Sequence, residues 1–187
     1  MDLVLFGIQG SGKGTQAKKL AAEYGYNIFE AGAELRKIAS SDSPLGRRVK
    51  GYIDQGHLVP HTIIMEVVAA AIADMPTETK IIFDGIPRDE RQMIDFDTIM
   101  QNAKRPFRCI HFTLNRDQAQ ERILNRAQQE GRADDANPEI IARRMNTFTE
   151  KTVPVINVYK TAGKVTEIDA NQPVEAVYAD FCRSLET

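Results

Sequence analysis

Cysteine is scarce in this sequence: its 187 residues include only Cys109 and Cys182, far apart and without metal-site spacing. That excludes a disulfide framework and a cysteine-built zinc site, and it points to a reducing, cytosolic setting. An excess of one charge is lacking too. With 24 Lys and Arg against 26 Asp and Glu, the net charge of −2 offers no bulk field for a polyanionic nucleic acid. Local clusters must then carry any phosphate recognition. No apolar run approaches the length of a membrane span. The opening MDLVLFG is too short for a secretory signal core and has no basic lead-in. Internal repeats and low-complexity tracts are also missing. His57, His61 and His111 form no catalytic set, and neither cysteine stands out as a nucleophile.

The remaining pattern is strand and helix in alternation. LVLF at 3–6, IIFD at 81–84 and RCIHFTL at 108–114 read as buried strands. KVTEID at 164–169 reads as a less buried one and NIF at 27–29 as a short one. Helix-length stretches fall at 34–40, 45–55, 61–75, 90–103, 116–130, 139–160 and 173–185. This order predicts an α/β chain with an open parallel sheet covered on both faces. Asn115 and Asn137-Pro138 mark helix starts, and Pro154 should bend or interrupt 139–160. Residues 30–60 and the polar stretch 126–143 do not fit a bare sandwich and read as excursions that close over ligands.

GIQGSGKGTQ at 7–16 places four glycines and a lysine between the first strand and a helix. Glycines let backbone N–H groups surround phosphate oxygens, the helix N-terminus adds partial positive charge, and Lys13 brings a mobile ammonium. The strict phosphate-loop pattern would put a hydroxyl right after the lysine. Here Gly14 stands there and Thr15 follows, which shifts metal binding toward bridging water and a distant acid. Asp84, ending the next apolar strand, is placed to be that acid. Arg36, Arg88, Arg122, Arg126, Arg132, Arg143 and Arg144 lie near strand ends or excursions, with Arg122 and Arg126 on one helical face.

GSGKGT, DGIPRDERQ and the succession NR, GRADD and RR extend over nearly the whole chain and resemble the adenylate kinase and nucleoside monophosphate kinase family in its short-lid form. The resemblance implies a P-loop nucleoside kinase fold: a five-stranded parallel sheet flanked by helices. One kinase domain would span 1–187, with a monophosphate-binding excursion at 30–60 and a short lid at 127–139. ATP would lie on Gly10, Ser11, Gly12, Lys13, Gly14 and Thr15, near Arg122 and Arg126, with Arg122 against the adenine. AMP would lie against Ala31, Gly32, Arg36, Ile53, Gly56, Leu58, Val59, Gly85, Arg88 and Gln92. Lys13, Arg88, Arg126, Arg132 and Arg144 would be catalytic, Arg132 and Arg144 arriving as the lid closes. Asp84 would organise magnesium-bound waters without any direct protein ligand to the metal, and Mg2+ would come with ATP. Arg143 matches less well and reads as a surface residue. Implied partners are the two nucleotides alone, with no nucleic acid, membrane or obligate protein, for a cytoplasmic monomer.

The implied reaction is ATP plus AMP giving two ADP. Gln92 favours AMP, because a carboxamide can both donate and accept at a purine edge. Ala31, where adenylate kinases commonly carry threonine, resembles the pyrimidine nucleotide kinases and keeps a UMP/CMP kinase open. Gln9 in place of a common proline and Ala33 in place of a common aspartate leave room for a regulatory nucleotide-binding module with little catalysis.

Overall fold

The computed structural model describes residues 1–130 and 137–186, without the side chains of residues 126–130. LVLF becomes the core of strand β1 (Asp2–Phe6), which pairs in parallel with β3 (Ile81–Asp84) on one side and β4 (Phe107–Thr113) on the other. β2 (Asn27–Glu30) and β5 (Val165–Asp169) complete the expected five-stranded sheet in the order β2-β3-β1-β4-β5. Alternate residues point to opposite faces. Leu3 and Leu5 pack with Ile82, Ile110 and Phe112 beneath α1 (Lys13–Tyr24) and α9 (Val174–Leu185). Val4, Phe6, Phe83 and Cys109 face α4 (His61–Ala73), α5 (Glu90–Asn102) and α8 (Val153–Thr161). Met65, Val68 and Ile72 of α4 are buried on that side, as their spacing predicts. Each such side chain contributes about 1.5–3 kcal/mol through burial.

Both asparagine caps form. Asn115 Oδ1 accepts the Asp117 N–H at 2.8 Å at the head of α6 (Arg116–Glu130). Asn137 Oδ1 accepts the Glu139 N–H at 2.9 Å, with Pro138 opening α7 (Pro138–Thr147). The stretch 139–160 is interrupted as expected, by a π-helical turn over Phe148–Thr152. Pro154 stands in the first turn of α8, lacks an N–H and crowds the preceding turn, so the wider turn just ahead of it relieves the conflict. Helix α2 (Ala31–Ala39) begins three residues before the predicted 34–40, because Glu30 turns from extended backbone directly into helix at φ −98°. Residues 30–60 then hold α2 and α3 (Pro44–Asp54), the latter capped by the Ser43 hydroxyl.

At the amino ends of the strands lies a buried ion pair that periodicity does not reveal. Arg105 Nε donates to Asp2 Oδ2 at 2.7 Å, with both side chains about 5% exposed or less. Among the described residues no helix is long and apolar enough to cross a membrane.

Candidate active site

The functional loops meet because the strands are parallel and in register. Glu30, Asp84 and Leu5 stand in one row across β2, β3 and β1, and Phe6 pairs with His111 of β4. The chain segments leaving these strand ends, together with α2, α3, α6 and α7, enclose a cleft of about 970 Å3. Such a crevice at the carboxyl ends of parallel strands is where open α/β sheets take ligands.

Gly10 has φ 85°, and a Cβ there would stand 2.6 Å from the Ala119 carbonyl oxygen, so only glycine lets the loop pass this close to α6. Gly12 carries the chain into α1 with φ 86°, and among the described residues no side chain caps this helix start, where the partial positive charge suits an anion. Lys13 curls back over the loop, its Nζ donating to Gly7 O at 2.6 Å and Ile8 O at 3.3 Å. Among the described residues the buried Ser11 hydroxyl and the Gln9 side-chain oxygen have no hydrogen-bond partner. Buried polar atoms orphaned in this way call for an explanation such as a catalytic role or a bound ion.

Across the cleft, Asp84 Oδ2 lies 3.8 Å from where a Gly14 Cβ would be, so the missing side chain at Gly14 opens the space between carboxylate and loop. Arg88 sits beyond it. Its Nε donates to Gly85 O at 2.7 Å, its N–H to Gln92 Oε1 at 2.8 Å, and its own carbonyl accepts from Thr152 Oγ1 at 2.8 Å. Loss of water around the guanidinium lowers its pKa; Arg144 and Arg36 act in the same direction, while Asp84 and Glu30 oppose them. Two further guanidinium groups within electrostatic reach of the buried Arg88 are costly unless an anion joins them. Arg36 is held meanwhile by Glu30, Nη2 to Oε1 at 2.8 Å.

Most residues singled out from sequence line this cleft. They are residues 10–15, Ala31, Gly32, Arg36, Ile53, Gly56, Leu58, Val59, Asp84, Gly85, Arg88, Gln92, Arg122 and Arg144. Arg132 and the Arg126 side chain lie outside the described residues, as does the segment 131–136 of the lid expected at 127–139. Ala33 does not line the cleft. Arg143 is exposed and does not line the cleft; it donates to Gln55 O at 2.7 Å and stands 3.3 Å from His57 Nε2, tying α7 to the end of α3. Gln172, Pro173 and Val174, at the head of α9, also line the cleft, and Gln16 Nε2 fastens them by donating to Val174 O at 3.0 Å. The turn signal in NQP was readable, but nothing in it announces a pocket wall. Thr147, Phe148 and Thr152, from the end of α7 and the π-helical turn, complete it. His111 is hydrogen-bonded to Glu167 at 3.3 Å, burial pushes the Cys109 thiol up to about 12, which disfavours the thiolate, and neither residue lines the cleft.

A family model described as Adenylate kinase matches residues 5–164. The adenylate kinase of Caulobacter vibrioides is 35% identical over 187 residues, covering 100% of this chain and 97% of that protein. That of Bacteroides fragilis is 30% identical over 188 residues, covering 100% and 99%. Adenylate kinase 1 of Synechocystis is 36% identical over 175 residues, covering 94% and 91%. The glycine loop, the facing acid and the arginine group thus occur in a chain that aligns from end to end with such enzymes, and it belongs to the adenylate kinase family.

Proposed function

We propose that the chain transfers the terminal phosphoryl group of ATP to AMP, reversibly, giving two ADP. The observation that carries this reading is the two-ended cleft. Its glycine loop and Lys13 sit at one end, Arg36, Arg88 and Gln92 at the other, and Arg144 contributes to the lining. At about 970 Å3 the cleft is at the top of the range for one drug-sized ligand, in keeping with two nucleotides.

The residues divide the work by position. Backbone N–H groups of residues 10–15 hold the ATP phosphates, and Lys13 exchanges its carbonyl partners for phosphate oxygens. Arg122 and the wall formed by Gln172, Pro173 and Val174 flank the ATP base. AMP rests on Ala31, Gly32, Ile53, Gly56, Leu58, Val59 and Gly85. Its phosphate is held by Arg88 and by Arg36, which must leave Glu30. Because Gln92 Oε1 already accepts the Arg88 N–H, its NH2 is the end offered to the acceptor base. Arg144, with Arg126 and Arg132, neutralises charge that develops on the transferring group. No general base is required, since alignment and charge stabilisation dominate this chemistry.

Asp84, Thr15 and the open space over Gly14 fit a hard divalent cation that keeps most of its waters. Mg2+ held there with ATP would supply charge neutralisation for the phosphates. Within the single kinase domain, we read residues 30–60 as the mobile monophosphate-binding part and 127–139 as the short lid; their closure excludes water and suppresses ATP hydrolysis. Every assigned group comes from one copy of the chain, which supports a monomer, and we place the reaction in the cytoplasm. Steady-state assays with AMP, UMP, CMP and GMP as acceptors test the reading. AMP should have the highest kcat/KM, and preference for UMP or CMP would overturn the acceptor assignment.

A further inference from the structure

We propose that Thr152 is a positioning residue that sets Arg88 for the acceptor phosphate; this rests on the reading of Arg88 given above. The helical stretch from Pro138 to Thr161 contains several threonines. Thr149 and Thr161 send their hydroxyls back to carbonyls four residues earlier in their own helix, Met145 O at 3.1 Å and Asn157 O at 3.0 Å. That is the ordinary fate of a helical threonine. Thr152, 5% exposed at the end of the π-helical turn, instead sends its hydroxyl across to Arg88 O at 2.8 Å, 64 positions away.

The consequence falls on one residue. The Arg88 N–H is taken by Gln92 Oε1 and its carbonyl by Thr152, so side chains from two separate elements clamp both polar groups of its peptide backbone. Residues 85–88 have no helix or strand to hold them. The clamp therefore does what a ladder of backbone bonds does elsewhere: it fixes where the guanidinium starts from. It also joins Arg88 to the helical stretch that carries Arg144, whose charge Arg88 already feels. The π-helical turn gives the hydroxyl its aim, because the wider turn shifts Thr152 away from the facing it would have on a regular helix.

Thr152→Val deletes the hydroxyl and keeps the branched shape, while Thr152→Ser keeps the hydroxyl. In the full-length protein, Thr152→Val should raise the AMP KM about tenfold, the scale of one lost hydrogen bond to a buried acceptor. It should also lower kcat and leave the ATP KM within about twofold. Thr152→Ser should return the AMP KM to near the parent value. Thr152→Ala serves in place of Val if the Val protein does not fold. The positioning role is overturned if Val and Ser behave alike, or if Val lowers the melting temperature while AMP KM and kcat hold. Arg88→Lys reads the underlying assignment separately. An unchanged AMP KM there overturns the role of Arg88 and this proposal with it. A raised KM there beside an unchanged one in Thr152→Val overturns the positioning alone.

Discussion

Replacing Asp2 by Asn should destabilise the protein while leaving its kinetics intact. Asp2 accepts from Arg105 Nε at 2.7 Å, from Arg105 Nη2 at 3.0 Å and from the Ile81 N–H at 2.9 Å, and Arg105 is otherwise satisfied by the carbonyls of Pro76, Thr77 and Thr79. Asparagine keeps one acceptor oxygen for the Ile81 N–H but leaves a guanidinium at 5% exposure without its counter-charge. Removing one partner of a buried pair costs about 3–5 kcal/mol. That is a large part of a typical total of about 5–15 kcal/mol. For a chain of this length it corresponds to a melting temperature lower by roughly 6–20 °C. Urea unfolding of Asp2→Asn, Arg105→Met and the double variant Asp2→Asn/Arg105→Met measures it. Each single change should lower stability by at least about 2 kcal/mol, and the double variant should recover much of the loss. The pair sits at the amino ends of the strands and the cleft at the carboxyl ends, so KM values of the folded fraction should not move. A loss below about 1 kcal/mol for Asp2→Asn would refute the reasoning.

Lys13→Ala should lower phosphotransfer by roughly 30- to several-thousand-fold, the scale of a lost charged phosphate contact, with the protein still folded by circular dichroism. Glu30→Gln should lower the AMP KM by up to about fivefold, because Arg36 no longer has to leave a half-exposed carboxylate, a pair worth about 0.2–1 kcal/mol. A raised KM would count against that exchange. His111 provides a pH test. Burial lowers its pKa below the ordinary 6.5, against the pull of Glu167 and with help from Lys13 and Lys160. The unfolded chain then binds the proton first, so stability should be level above pH 6.5 and fall as pH drops through the folded value. Melting curves of His111→Gln should lack that decline. Loss of the Glu167 contribution belongs to a separate window, as pH falls below 4.5.

The glycine loop and Asp84 were readable because strand order and local composition determine both: apolar runs fix β1 and β3, and parallel pairing sets their ends side by side. From charge and spacing alone, without the family resemblance, the arginines were readable only as a group. Arg36, Arg88, Arg122 and Arg144 do line the cleft, but charge and spacing could not separate them from Arg143, whose bonds to Gln55 and near His57 depend on α3 and α7 meeting. Long-range placement hid the rest. Gln172, Pro173 and Val174 reach the loop only because α9 packs beside α1, and Thr152 reaches Arg88 only through a π-helical turn that the sequence marks no further than Pro154. The early start of α2 shows a local limit too: Glu30 carries no apolar signal, so periodicity placed the helix from Glu34.

A crystal structure with a bisubstrate analogue, two adenosines joined through a phosphate chain, tests the central claim most directly. Phosphates should run from the backbone amides of residues 10–15 and Lys13 to Arg36 and Arg88, with Arg144 on the middle of the chain and Gln92 on the acceptor base. Phosphates seated elsewhere, or a chain that leaves the glycine loop without contact, would contradict the account.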